Sequence, residues 1–212
     1  MKVLMLVISS QTQSVYRHHK AIWETYMKSH PDIECYFIEF SPVVLSPLLT
    51  STTLFLRGHD TYQTILDKTF RAIDFFTRHK QYDYVIRTNL SSVWIFPRLI
   101  RFLETAPRTG LYGGIINNNQ PWAYISGAGI TLSWDVVQIL LKNRHLAYAS
   151  KVIDDVDIGF EFVTLGIPTS FIPRVDVLSE DDLSKEGFHY RVRFFTDRDR
   201  ELPLMRKILS IY

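Results

Sequence analysis

The chain of 212 residues carries one cysteine, Cys35. A lone thiol forms no internal disulfide and makes no thiolate zinc site by itself, so a disulfide-stapled secreted domain is excluded. Glycine and proline are scarce, nine of each, which excludes collagen-like and Gly/Pro-rich low-complexity chains. Long apolar runs are missing. The opening run is Val3–Ile8, far below the roughly 20 residues that cross a bilayer, and no small-residue cleavage site follows it. The expectation is no membrane span, no targeting segment and a cytoplasmic location. An excess of one charge sign is also missing. Twenty-four basic against 22 acidic residues give +2, too balanced for nucleic acid as the main partner. The GxGxxG, GxxxxGK[ST], HExxH and GxSxG patterns do not occur, so the common dinucleotide, P-loop, zinc-protease and serine-hydrolase fingerprints are out.

What is present suits one packed domain. Hydrophobic residues make up 46% and charged residues 22%, the balance of a chain with a sizeable core. Val3–Ile8 reads as a parallel strand buried on both faces. A helix is predicted over Val15–Lys28, a second strand over Ile33–Phe40 and an irregular connection over Ser41–Gly58. A helix over Thr61–His79 and a strand over Tyr84–Thr88 follow. Pro97 suits the first turn of a helix. Short strands are expected at Leu111–Ile116, Trp122–Ser126 and Thr169–Ile172. Ser133 reads as the cap of a helix over Trp134–Lys142, and Asp154 or Asp155 starts another that Gly166 and Pro168 close. From Ser179 onward the pattern is charged and weakly periodic, with an aromatic and basic run at Phe188–Phe195. Alternating strands and helices predict an open α/β sheet with helices on both faces and a Rossmann-like N-terminal half. Ligands in such sheets sit at the carboxyl ends of the strands. Ser9-Ser10 and Asn89-Leu90-Ser91-Ser92 fall there.

Five stretches carry a resemblance. They are Tyr16-Arg17-His18-His19-Lys20-Ala21-Ile22-Trp23-Glu24-Thr25, Asp60-Thr61-Tyr62 with Lys68-Thr69, Tyr84–Ser91, Ser126-Gly127-Ala128-Gly129, and Asp154-Asp155-Val156-Asp157-Ile158-Gly159. In this order they resemble the GT-A glycosyltransferases, and within them the inverting enzymes that build beta linkages to galactose or N-acetylglucosamine. The chain is also similar to the compact glycosyltransferase domains of large algal DNA viruses. The resemblance implies a single GT-A-like domain with an open mixed sheet. About residues 1–92 would form the nucleotide-sugar half, and about 93–212 the acceptor half with a closing C-terminal segment. It also implies a UDP-sugar donor, a glycan or glycoprotein acceptor, and a divalent metal, Mn2+. The rivals are a non-catalytic nucleotide- or glycan-binding domain and a nucleotidyltransferase.

The roles implied are specific. Asp155 takes the place of the general base that an inverting transfer needs. Asp154 and Asp157 read as caps or supporting groups beside it. Ser9, Ser10, Asp60, Lys68, Arg87 and Asn89 are expected around the donor. Arg191 and Arg193 suit a diphosphate, because in an extended segment His189, Arg191 and Arg193 point one way. Where the family carries Asp-x-Asp for its metal, this chain has Asn89 and Ser91. Neutral oxygens hold a hard cation less tightly than carboxylates. Three readings stay open: weak metal binding completed by the diphosphate, a ligand such as His189, or no metal and neutralisation by Arg and Lys. Trp94, Trp122, Tyr124 and Trp134 are expected chiefly in the core, with Trp122 and Tyr124 kept as an acceptor wall.

Overall fold

A computed structural model describes residues 1–194 and 197–211. Phe195, the last residue of the aromatic and basic run, lies outside the described residues. The chain opens with strand β1 (Val3–Ile8), helix α1 (Ser14–Lys28), β2 (Glu34–Ser41), β3 (Leu48–Leu49) and β4 (Thr53–Arg57). A 3-10 turn over Tyr62–Thr64 leads into α2 (Ile65–Thr77), followed by β5 (Tyr84–Asn89), β6 (Ser92–Trp94) and α3 (Phe96–Thr105). Strands β7 (Tyr112–Gly114), β8 (Ile116–Asn117), β9 (Tyr124–Ile125) and β10 (Gly129–Ser133) come next. Helices α4 (Trp134–Asn143), α5 (His145–Ser150) and α6 (Asp154–Thr164) precede β11 (Ser170–Phe171), β12 (Val175–Val177), β13 (His189–Val192) and α7 (Glu201–Ile211).

The main sheet has eight strands in the order β11-β7-β10-β5-β1-β2-β4-β3. Strands β5, β1, β2 and β4 run parallel. Strand β10 lies antiparallel between β5 and β7, so the sheet is mixed, as the alternation of elements implies. Two apolar layers cover it, as expected for strands buried on both faces. Val3, Met5 and Val7 pack with Trp23 and Tyr26 of α1, Leu99 of α3 and Met205 of α7. Leu4 and Leu6 face the other way, toward Phe70 of α2, Val137 of α4 and Phe162 of α6. Cys35 is buried in the first layer. Burial pushes its thiol well up, consistent with a small core hydrophobe.

Three expectations are corrected. Ser41–Gly58 is not irregular throughout, because Thr53–Arg57 adds a parallel strand beside β2. Gly129–Ser133 is a buried sheet strand, where the sequence pattern marks no element and only a cap at Ser133. Ser133 makes no side-chain cap bond to its helix; its hydroxyl donates to Asp135 at 2.6 Å. The C-terminal stretch ends in an amphipathic helix, α7, that packs on α1. Among the described residues, no helix is long and apolar enough to cross a membrane.

Candidate functional site

The chain leaves β1 toward β2 and β4 on one side, then crosses back to place β5 on the other. This reversal of strand order opens a crevice at the carboxyl ends of β1 and β5. Ile8 stands opposite Asn89 in the register, so the loops after both strands meet there. A cleft of about 590 Å3 fills the crevice. Ser9, Ser10, Asp60, Lys68, Arg87, Asn89, Ser91, Asp155, Arg191 and Arg193 all line it. Of the residues expected as base, donor or metal groups, His189 alone does not.

On the β1 side the polar groups form one network. Glu39 of β2 is fully buried. It accepts hydrogen bonds from the Ser9 hydroxyl (2.8 Å), the Gln11 amide (2.8 Å) and Lys20 Nζ (2.8 Å). Burial pushes its carboxyl up, but Lys20, Gln11 and Ser9 outweigh burial and hold it below the ordinary value. Lys68 is buried too and donates to the Ser9 carbonyl at 2.7 Å and to Asp60 Oδ1 at 2.5 Å. Its pKa is lowered by burial, which Asp60 opposes. Ser9 therefore turns its hydroxyl inward to Glu39. Ser10 is more open, its hydroxyl 2.9 Å from that of Thr12.

The opposite wall is the start of α6. Three acidic residues in its first turn suit the positive end of a helix, and the structure separates their tasks. Asp157 accepts the Val152 N–H at 2.9 Å, just outside the helix. Asp154 is buried in an ion pair with Arg87. Burial pushes the Asp154 carboxyl up, and the Arg87 guanidinium opposes that. Arg87 spends its other terminal nitrogen on the Gly127 carbonyl. Asp155 lies half-buried in the cleft wall, its Oδ2 accepting the Gly127 N–H at 2.7 Å and its Oδ1 the Val156 N–H at 3.1 Å. The two sides of Gly127 are thus held by the two groups. No side chain fits there, since a Cβ on Gly127 would lie 2.7 Å from Arg87 Nη1 and 3.1 Å from Asp155 Oδ2.

The third wall is built by β6 and β13. Asn89 Oδ1 accepts the hydroxyls of Ser91 (3.0 Å) and Ser92 (3.2 Å). The Val192 N–H donates to the Ser91 carbonyl at 2.8 Å, tying β13 to the loop after β5. Arg191 and Arg193 extend from this strand into the cleft. His189 is buried behind them, its ring stacked on Trp94 at 3.7 Å. Burial, helped by nearby Arg174, pushes its pKa well down, which leaves a neutral ring. The strand backbone of Gly129 presses on this pair; a Cβ there would sit 2.4 Å from His189 Cε1.

Several cleft residues escaped the sequence reading. Arg198 lines it, with its Nε and Nη2 each 2.9 Å from the carboxylate of Glu201. Glu201 is buried and also accepts His19 Nε2 at 2.8 Å and the Phe194 N–H at 2.9 Å. Burial alone would raise its carboxyl, yet these partners bring it down to about 2. Tyr16 and Tyr62 line the cleft as well. The Tyr62 hydroxyl is pushed up by burial and by Asp155 and Asp154. The expected aromatic acceptor wall is elsewhere: Tyr124 is buried, and the Trp122 indole N–H donates to the Val156 carbonyl at 3.2 Å. Neither they nor Trp94 and Trp134 line the cleft.

The donor set fits a divalent cation poorly. Asn89 Oδ1 already accepts two hydroxyls, and the Ser91 hydroxyl is a neutral oxygen. His189 does not line the cleft. Asp60 and Asp154 are paired with Lys68 and Arg87. Among the described residues, no three His, Cys, Asp or Glu side chains gather as a metal site.

No protein-family model and no curated protein sequence matches the chain. Solved structures do. A glycosyltransferase involved in glycosylation of the major capsid of PBCV-1 superposes with a TM-score of 0.58 at 10% identity, over 98% of this chain and 100% of that one. The galactosyltransferase LgtC, in complex with donor and acceptor sugar analogues, superposes with a TM-score of 0.51 at 8% identity, over 98% and 96%. At such identities the likeness is one of fold, and the chain has the GT-A-like fold of these glycosyltransferases.

Proposed function

We propose that the chain is a glycosyltransferase moving a hexose-type sugar from a nucleotide diphosphate sugar, a UDP-sugar, to a hydroxyl of a glycan or glycoprotein, in the cytoplasm and with inversion. One observation carries the reading. A single carboxylate that is not matched to a cationic side chain, Asp155, faces the switch-point cleft together with the arginines of β13. An inverting transfer needs one base on the acceptor side and positive charge on the leaving-group side.

The chemistry follows from those positions. Asp155 accepts the proton of the acceptor hydroxyl as that oxygen attacks the anomeric carbon. The bond between that carbon and the diphosphate oxygen breaks, and the diphosphate leaves with its electron pair. Each Asp155 oxygen takes one backbone N–H and keeps a second lone pair for a proton. The Gly127 N–H fixes the carboxylate, so little reorganisation precedes transfer. The backbone and hydroxyls around Ser9 and Ser10 offer donors and acceptors for a base edge.

The test is a transfer assay across a panel of nucleotide sugars, with the anomeric configuration of the product read by NMR. Asp155→Asn should lower transfer by about two to four orders of magnitude with donor affinity nearly unchanged. Asp157→Asn should transfer normally, since Asn accepts the Val152 N–H as well. Normal transfer by Asp155→Asn would remove Asp155 as the base, and a retained anomer would remove inversion.

A further inference from the structure

We propose that the chain holds and neutralises the donor diphosphate with Arg191 and Arg193 in place of a resident divalent cation. This rests on the nucleotide-sugar reading of the cleft. The first ground is what the acidic and neutral oxygens are doing. A hard cation takes six or so oxygens, and carboxylates supply most of its affinity. Here the cleft carboxylates are held by Lys68, by Arg87 and by the Gly127 N–H. The side-chain carbonyl of Asn89 is filled by two serine hydroxyls. A cation entering this cleft finds one carboxylate with open lone pairs, Asp155, and would have to break the Lys68, Arg87 or serine bonds to gain a second side-chain ligand.

The second ground is independent and concerns the arginines. Arg191 and Arg193 alternate along β13 and its continuation, and both reach the cleft. Arg191 Nε is buried with no hydrogen-bond partner among the described residues. A buried N–H without an acceptor is costly, and it is where an absent acceptor belongs. Arg174 lies close by, its side chain almost wholly buried and paired with Asp176. Its own Nε is equally without a partner. Guanidinium groups gathered this way repel one another, and the pKa of Arg191 is lowered by burial and by Arg174 and Arg193. An anion with several oxygens relieves both strains at once, because each guanidinium fork matches two phosphate oxygens. The diphosphate gains negative charge as the sugar departs, so fixed arginines favour the transition state over the bound donor.

The experiment is calorimetric titration of the whole chain with UDP, GDP and CDP, in EDTA and in excess Mn2+. The preferred nucleotide should bind in EDTA within about threefold of its affinity with Mn2+. Arg191→Gln and Arg193→Gln should each weaken binding in EDTA by about tenfold or more, the range of a lost charge-assisted hydrogen bond. Arg191→Lys should fall between, keeping charge but losing the fork. Arg191→Gln should melt no lower than the parent, because it removes a repelled charge. Binding that appears only with Mn2+ overturns the proposal and leaves the nucleotide-sugar reading standing. So does unchanged affinity in both glutamine variants. Failure of every nucleoside diphosphate to bind, with or without Mn2+, overturns that reading and this proposal with it.

Discussion

Replacing Arg87 with Gln tests the cleft's buried framework directly. Arg87 and Asp154 are 6% and 3% exposed as side chains and face each other across an ion pair. Removing the cation leaves a carboxylate in the interior with no counter-charge, a change that costs about 3–5 kcal/mol. That is a large part of the roughly 5–15 kcal/mol that holds a domain folded. Asp154→Asn should cost a similar amount for the mirror reason. The double variant places two neutral amides in the same space and should cost less than the sum of the singles, with a coupling of at least about 2 kcal/mol. The pH dependence has a definite sign. In Arg87→Gln the folded-state pKa of Asp154 lies above its unfolded value near 3.8. The stability that a neutral Asp154 retains is fully present below the unfolded value and is lost as pH rises through the folded one. The penalty of Arg87→Gln should therefore shrink toward pH 4 and be largest near pH 8. Urea denaturation followed by circular dichroism, at both pH values, measures all four corners of the cycle. Additive singles, or a penalty independent of pH, would refute the electrostatic account of this pair.

Two further outcomes follow from other parts of the molecule. Glu161 of α6 is fully buried with no partner for either oxygen among the described residues, and burial pushes its carboxyl up to about 8. Its neutral form is kept without penalty below the unfolded value of 4.5. Between there and pH 8 stability should fall by about 1.4 kcal/mol per unit. Glu161→Gln should therefore gain on the parent by several kcal/mol as pH rises across that window in urea denaturation; a constant difference contradicts it. Gly127→Ala would drive a methyl against Arg87 and Asp155. It should cut transfer by about tenfold or more while nucleotide binding holds, and equal losses in both would show that the clash spreads beyond the base.

The framework of the fold was readable because its strongest signals are local. Val3–Ile8 is a continuous apolar run, and α1 carries Ile22, Trp23 and Tyr26 on one face. Their spacing alone states the element. The misses are places where tertiary context overrides local composition. Thr53–Arg57 is short and follows Pro42 and Pro47, so it reads as loop, yet β2 offers it a parallel edge. Gly129 gives no strand signal, yet β10 needs its lack of a side chain to admit the stacked rings of His189 and Trp94. In α7, Pro203 obscures the helix, although a proline in the first turn removes no helical hydrogen bond.

The site shows the same division, and its electrostatics show it most clearly. Strand ends are readable, so Ser9, Ser10 and Asn89 could be placed in one crevice from chain order, while Asp155, at a helix start, comes only from the resemblance. Which acid holds which base is a property of the fold. Glu39 sits in an alternating strand and gives no sign that it will gather Ser9, Gln11 and Lys20. Arg87 reads as a ligand for phosphate, while the structure commits it to Asp154 and to Gly127. A net charge of +2 gives no sign of a nucleic-acid partner, but it is a sum over the whole surface and says nothing of one cleft. In the cleft Lys68 is matched by Asp60, Arg87 by Asp154 and Arg198 by Glu201. Arg191 and Arg193 line the space from the β13 side, and Asp155 lines it from the start of α6. That places positive charge on the β13 side and one carboxylate on the α6 side, which is the polarity a departing diphosphate and an attacking hydroxyl require.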